Sequence, residues 1–216
     1  MYSLLIETSS QKAFLSLGLN GVPIISQNLK GDATLSTEIY PALKKLLSSS
    51  NLEINDLSYV SVGTGPGSYT GIRIGASIAK ALSFKSKIPM IGFCSLKACI
   101  PSFNTPFYSL ADAKTSGFFL LEGEKIDQHI IYKSHPRLIS LEEAQLLFTK
   151  NYSLVSPHTE VLKKRLPSVS QNLFIEGLPN AEHLMHLTHV KYMNKKFDLS
   201  QKLELLYLRE PNPVAL

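Results

Sequence analysis

One order of elements is written twice along the 216 residues, and that doubling limits the fold more than any single motif does. YSLLIET (2–8), AFLSLGL (13–19) and VPIISQNL (22–29) read as strands. Asn20-Gly21 between the last two is a strong hairpin signal, because both residues tolerate positive φ. A helix pattern follows, with Thr37 as N-cap, Pro41 in its first turn, and Ile39, Leu43, Leu46 and Leu47 on one face. LSYVSVG (57–63) reads as a buried strand, Ser68 or Thr70 caps a long helix through Phe84, and IPMIGF (88–93) is a strand. In the second half PFYSLAD (106–112), GFFLLEG (117–123) and KIDQHIIYKS (125–134) read as strands, with a tight turn at Gly123-Glu124. Ser140 with Glu143 forms a capping-box signature for a helix. YSLVS (152–156), a short helix in HTEVLKKRLP, NLFIEG (172–177) and a helix over 180–196 capped by Asn180 complete the chain. The order is β-β-β-α-β-α-β twice, plus a helix. It predicts two α/β domains, residues 1–103 and 104–216, around a cleft and joined near Pro101–Pro106.

That doubled order is similar to the duplicated actin-like, ribonuclease-H-like architecture (the ASKHA superfamily) of actin, Hsp70 and the sugar kinases. The similarity speaks to architecture, and function has to come from sites. With 44% apolar and 18% charged residues the composition is that of a soluble globular protein. No run of about 18 apolar residues suggests a membrane helix. Met1 leads into YSLLIETSS without a basic n-region, so a cytoplasmic location is expected rather than secretion. The net charge of +5 permits an acidic partner or RNA without arguing for either, and VLKKRL and MNKKF read as solvated helix faces.

GTGPGSYTGIRIG (63–75) lies between a strand and a helix, the setting of an anion-binding loop. Its spacing fits none of the phosphate or nucleophile motifs. Gly63 and Gly65 match G-x-G-x-x-G but the third position is Ser68; no lysine occurs before Lys80; and Ser68 directly follows Gly67, so G-x-S-x-G fails. The helix says more. Gly71, Gly75 and Ala79 form a stripe, flanked by Ile78 and Leu82 and extended by Ile72 and Ala76. The apolar arc is roughly 220° wide, about twice that of a helix packed on a sheet alone. This predicts burial on two sides, the second cover being either the chain's own preceding helix or a helix of a partner.

The segment GTGPGSYTGIRIGASIAKAL, with LLIETSS, IPMIGFCSL, ADAK (111–114) and the terminal YLREPNPVAL, closely resembles the signature of the TsaB (YeaZ) family. The resemblance is dense from residue 3 to about 97 and thins beyond. It implies a non-catalytic accessory subunit of the complex that makes threonylcarbamoyladenosine in tRNA, 3′ of the anticodon. The partners it implies are a TsaD-type catalytic subunit, a TsaE-type ATPase and tRNA through the complex, with homodimers through the same face in some members. Carried here, the docking face is Ser36–Ser48 and Ser68–Phe84, centred on Ile39, Leu43, Leu46, Gly71, Ile72, Gly75, Ala76, Ala79 and Leu82. Two positions depart from the family pattern: Glu7 stands where Asp is usual and Leu35 where His is usual. Both weaken any inherited nucleotide chemistry in the cleft.

The candidate cleft residues are Glu7, Ser9, Gly65, Gly67 and Asp112. In actin-like ATPases the carboxylates matching Glu7 and Asp112 organise a metal–phosphate group; the plainer expectation is that each orients a hairpin turn by accepting from backbone amides. No cofactor is expected in the isolated chain, with ATP or ADP a candidate at the interface with partner subunits. His183, His186 and His189 do not converge from one straight helix and lack a metal-ligand spacing, so structural or surface histidines and no metal site are expected. Cys94 and Cys99 are expected as buried thiols. Two other functions compete with the accessory subunit: an ATP-using enzyme of the actin and sugar-kinase type and, less favoured, a metallopeptidase.

Overall fold

The computed structural model describes residues 1–148, 151–197 and 203–208. Its first sheet is built from β1 (Tyr2–Glu7), β2 (Lys12–Leu19), β3 (Val22–Lys30), β4 (Leu57–Gly63) and β5 (Met90–Phe93), in the order β3-β2-β1-β4-β5. β1 pairs antiparallel with β2, Glu7 opposite Phe14, and parallel with β4. The second sheet contains β6 (Thr105–Asp112), β7 (Phe118–Ile126), β8 (His129–Tyr132), β10 (Ser153–Ser156) and β11 (Phe174–Glu176), in the order β11-β10-β6-β7-β8; β9 (Arg137–Ile139) adds to β7. β6 pairs antiparallel with β7, Asp112 opposite Phe118, and parallel with β10. The two sheets therefore share one topology, as the doubled sequence order predicts.

Alternation along the strands assigns the layers. Leu4 and Ile6 of β1, with Leu15, Leu17, Val60 and Val62, face α1 (Leu35–Ser49) and α2 (Tyr69–Ser86). Leu5 and Phe14 point to the opposite face, into a core shared with Phe93, with Phe107 and Val155 of the second sheet, and with Leu184 and Met185 of α5 (Ala181–Met193). The far face of the second sheet is covered by α3 (Leu141–Leu147) and α4 (Thr159–Arg165), around Leu110, Phe118, Leu154 and Leu162. α5 belongs to the second half in sequence yet fastens to the first sheet. Tyr59 stacks on Tyr192 with centroids 4.5 Å apart, and Lys191 Nζ donates to Gly92 O at 2.8 Å. Leu203 and Leu205 also join the core under α1 and α2. A division at 103/104 thus separates the sheets but not the cores.

Three local expectations need correction. α1 starts at Leu35 rather than after Thr37, because Asp32 Oδ1 accepts from Thr34 N at 2.8 Å and sets the entry turn; Pro41 then lies inside the helix. The turn placed at Gly123-Glu124 is instead at Asp127, in a left-handed conformation (φ 53°) and held by Asn104, whose Oδ1 accepts from Asp127 N at 2.8 Å. Gly123 lies mid-strand because a Cβ there would come within 2.7 Å of the Phe107 ring. β9 had no separate signal: three residues are too short to show a period. The hairpin at Asn20 (φ 52°) and Gly21 (φ 81°) and the caps at Ser68, Ser140 and Asn180 follow the sequence reading.

Candidate functional site

Two surfaces carry the residues singled out above: a cleft near the carboxyl ends of β1 and β6, and the outer face of α1 and α2. In the cleft, the β1–β2 and β6–β7 hairpins open with the same device. Glu7 Oε1 accepts from Ser9 N at 2.6 Å, and Asp112 Oδ1 accepts from Lys114 N at 3.1 Å. This is the turn-orienting role.

The two carboxylates do not share a site. Asp112 lines an open cleft of about 630 Å³, with Ser9, Ser10, Gly67, Tyr69, Lys114, His158 and Tyr207. Arg165 at the end of α4 pairs with Asp112, donates to Gly117 O at 3.1 Å and lies over the Phe118 ring at 4.5 Å. Glu7 instead borders a narrow space of about 20 Å³ with Ser95, Cys99 and Ser109, which adjoins the cleft along Ser9, Ser10, Pro66 and Ala111. Gly65 is likewise withdrawn from the cleft: its N–H donates to Ser95 Oγ at 3.1 Å and its carbonyl accepts from Ser95 N at 2.8 Å. Ser9, Gly67 and Asp112 therefore meet at the cleft, whereas Glu7 and Gly65 are spent on structure.

Glu7 is the only acidic residue among the described residues that is buried in the first core's sheet, and its Oε2 has no hydrogen-bond partner there. Burial pushes its pKa above the usual 4.5, against the opposing pull of hydrogen bonds from Ser9. A raised carboxyl pKa means that the folded state holds its proton more tightly than the unfolded chain. The stabilisation is complete below the ordinary value and is lost as pH rises through the folded value. Glu7→Gln keeps the acceptor for Ser9 N and removes the charge. The variant is expected to unfold at higher urea than the parent at pH 8, by about 1 kcal/mol or more, with the advantage vanishing near pH 4. An equal difference at both pH values would contradict this.

The histidines are separate. His183 Nε2 meets Tyr132 Oη at 2.8 Å, and burial lowers its pKa to about 4. His186 is exposed, and His189 stacks on Tyr59. Among the described residues no three His, Cys, Asp or Glu side chains are arranged to hold a metal. Cys99 is buried as expected and its Sγ donates to Gly177 O at 3.4 Å, whereas Cys94 is half-buried; burial raises the Cys94 thiol to about 11 and Cys99 to about 12.

On the helices, the structure reverses the expected orientation. Ile39, Leu43, Leu46, Gly71, Ile72, Gly75, Ala76, Ala79 and Leu82 are all buried within the single chain. The small-residue stripe faces strand β1: a Cβ on Gly71 would lie 2.0 Å from Thr8 O, and one on Gly75 would lie 2.4 Å from Thr8 Oγ1. The close neighbours of both glycines belong to the chain itself, and all nine side chains are spent on its own core. The surface available to a partner is the opposite side of α2, where Thr70, Ile74, Ser77, Ala81 and Phe84 follow a 4-3-4-3 spacing, the seam of a helix packed against another helix. Phe84 is 79% exposed and Tyr40 on α1 is 69% exposed. Ser36, Tyr69, Thr70, Arg73, Ile74, Ser77 and Ile78 line a shallow groove beside this seam.

Sequence reasoning missed the element joining the two surfaces. Leu206 N donates to Thr64 O at 2.8 Å, and Tyr207 Oη accepts from Arg73 Nε at 3.1 Å. Arg73 also lies 3.9 Å over the Tyr69 ring. Tyr207 and Leu208 of the terminal YLREPNPVAL are placed in this way; the rest of that motif lies outside the described residues. Arg165, too, was legible only as one cation of a basic run.

The comparisons with known proteins agree on one group. A family model described as TsaD, tRNA N6-adenosine threonylcarbamoyltransferase, matches residues 32–190. The tRNA threonylcarbamoyladenosine biosynthesis protein TsaB of Buchnera aphidicola (from Acyrthosiphon pisum) is 30% identical over 187 residues, covering 80% of this chain and 82% of that protein. The protein of the same name from Haemophilus influenzae is 23% identical over 95% of this chain and 92% of its own length. The solved structure of YeaZ from Pseudomonas aeruginosa superposes with a TM-score of 0.80 at 16% identity, over 96% of this chain and 99% of that one.

Proposed function

The chain belongs to the TsaB (YeaZ) family, and from that premise we propose that it serves tRNA threonylcarbamoyladenosine biosynthesis as a non-catalytic subunit that docks a TsaD-type transferase on the outer face of α1 and α2. The observation that carries the reading is the uncovered seam of α2. Its apolar and small residues repeat at helix-packing spacing, and its largest side chain, Phe84, is exposed. The non-catalytic part is supported by the cleft. Glu7 is buried and bonded to Ser9 N, and Asp112 is paired with Arg165, so both carboxylates are engaged within the chain itself. A TsaE-type ATPase joins the assembly, any ATP or ADP binds where subunits meet, and tRNA is engaged through the complex, all in the cytoplasm.

The test is reconstitution of tRNA modification with each subunit omitted, together with Ser77→Trp. An indole at the middle of the seam is expected to abolish co-purification with the transferase subunit while leaving the circular dichroism and melting temperature of the free chain unchanged. Complex formation at parental affinity would remove the docking face. Modification that proceeds equally well without this chain would remove the function.

A further inference from the structure

The outer face of α1 and α2 carries nearly all of the chain's net charge. The two helices hold Lys44, Lys45, Arg73, Lys80 and Lys85 against a single carboxylate, Glu38, a net of +4, whereas the whole chain has a formal net charge of +5. All six side chains are exposed. Arg73 is held by Tyr69 and Tyr207, and none of the four lysines forms an ion pair among the described residues. Elsewhere the surface cations are often matched: Lys12 with Glu176, Lys133 with Glu124, Arg137 with Glu143, Lys163 with Glu160.

We propose that this face selects a protein partner whose opposing helical face is acidic, and that the same charge disfavours pairing of two copies of this chain through it. The inference rests on the docking reading above and adds the chemistry of the partner. An apolar seam (Ile74, Ala81 and Phe84, with Ile78 in the groove beside it) bordered by cations has the layout of a protein interface, with an apolar centre and a charged rim. An RNA-binding surface of the same charge would not need that centre. Brought together about a two-fold axis, two such faces oppose +4 to +4, and like charges facing each other across an interface are costly. An acidic face gains where the copy loses, and its encounter is steered by long-range attraction.

The two associations therefore respond to salt with opposite signs. Binding of the purified transferase subunit, measured by calorimetry, is expected to weaken about tenfold between 50 and 500 mM NaCl as the charges are screened. Self-association, measured by sedimentation equilibrium, is expected to strengthen over the same range. The variant K44E/K45E/K80E/K85E keeps the seam and is expected to bind the transferase about 10- to 100-fold more weakly at 50 mM salt, at roughly two- to threefold per lysine reversed, with most of that difference gone at 500 mM. A transferase affinity indifferent to both salt and the four reversals overturns the proposal. So does a variant that keeps its transferase affinity but loses retention of tRNA, which would assign the charge to RNA. Ser77→Trp separates the two levels. If it abolishes binding while the reversals do nothing, the docking face stands and the charge selection falls; if it too has no effect, the face itself is wrong.

Discussion

Gly71→Ala is expected to destabilise the protein by about 2–3 kcal/mol, the upper part of the range for overpacking a filled site, even though alanine is the better helix former by roughly 1 kcal/mol. The added Cβ would lie 2.0 Å from the carbonyl oxygen of Thr8. That oxygen is backbone at the end of β1, and it cannot rotate aside as a side chain can. Thr8 is also tied to the helix, since its Oγ1 donates to Gly71 O at 2.8 Å. To admit a methyl group, α2 must lift off the sheet, loosening Ile72, Ala76 and Ala79 together. Ser77→Ala, on the exposed side of the same helix, supplies the control. It improves helix propensity with nothing to collide with and is expected to be neutral or to stabilise by a few tenths of a kcal/mol. Urea unfolding should lower the midpoint of Gly71→Ala and leave that of Ser77→Ala unchanged or slightly raised. A Gly71→Ala protein as stable as its parent would show that α2 does not sit as close to β1 as described.

Arg165→Ala is expected to cost about 2–4 kcal/mol, because it strands Asp112, whose side chain is only 8% exposed. The guanidinium does three things at once: it neutralises Asp112, satisfies Gly117 O and covers the Phe118 ring. Asp112→Asn in the same background removes the stranded charge and is expected to recover part of the loss. A double-mutant cycle measures that recovery, and strict additivity of the two changes would contradict a functional pairing between them. Lys114 is no substitute, for its Nζ lies 3.7 Å from Asp112 Oδ2 and the side chain is largely exposed.

The doubled order of strands and helices was legible because each element carries its own period and its own caps. Ser68, Ser140 and Asn180 each accept from the amide three residues on, as their side chains predict. What fills the space beside a small residue was not legible. The Gly71–Gly75–Ala79 stripe announces that something approaches α2 closely, but a strand of the same chain and a helix of another molecule both demand small residues. Gly123 misled in the same way: it makes room for Phe107 within a sheet and reads in sequence as a turn. The cleft was half legible. Ser9, Gly67 and Asp112 follow from the hairpin and loop positions, whereas Arg165 and Tyr207 arrive from elements 53 and 134 residues away from Asp112 and Arg73, separations over which a single sequence has no period to follow.

The attachment of α5 has a consequence for how the protein is made. Strands β1 to β5 leave the ribosome with α1 and α2 to cover one face, but Leu5, Phe14 and Phe93 on the other face wait for Leu184 and Met185. Chains grow at about 5–20 residues per second, so the first sheet is complete for several seconds before its last cover emerges. During that interval the nascent N-terminal half exposes an apolar face that a chaperone can hold. A chain released early, short of α5, would present that face to its neighbours and enter aggregates rather than persist as a half-sized soluble fragment.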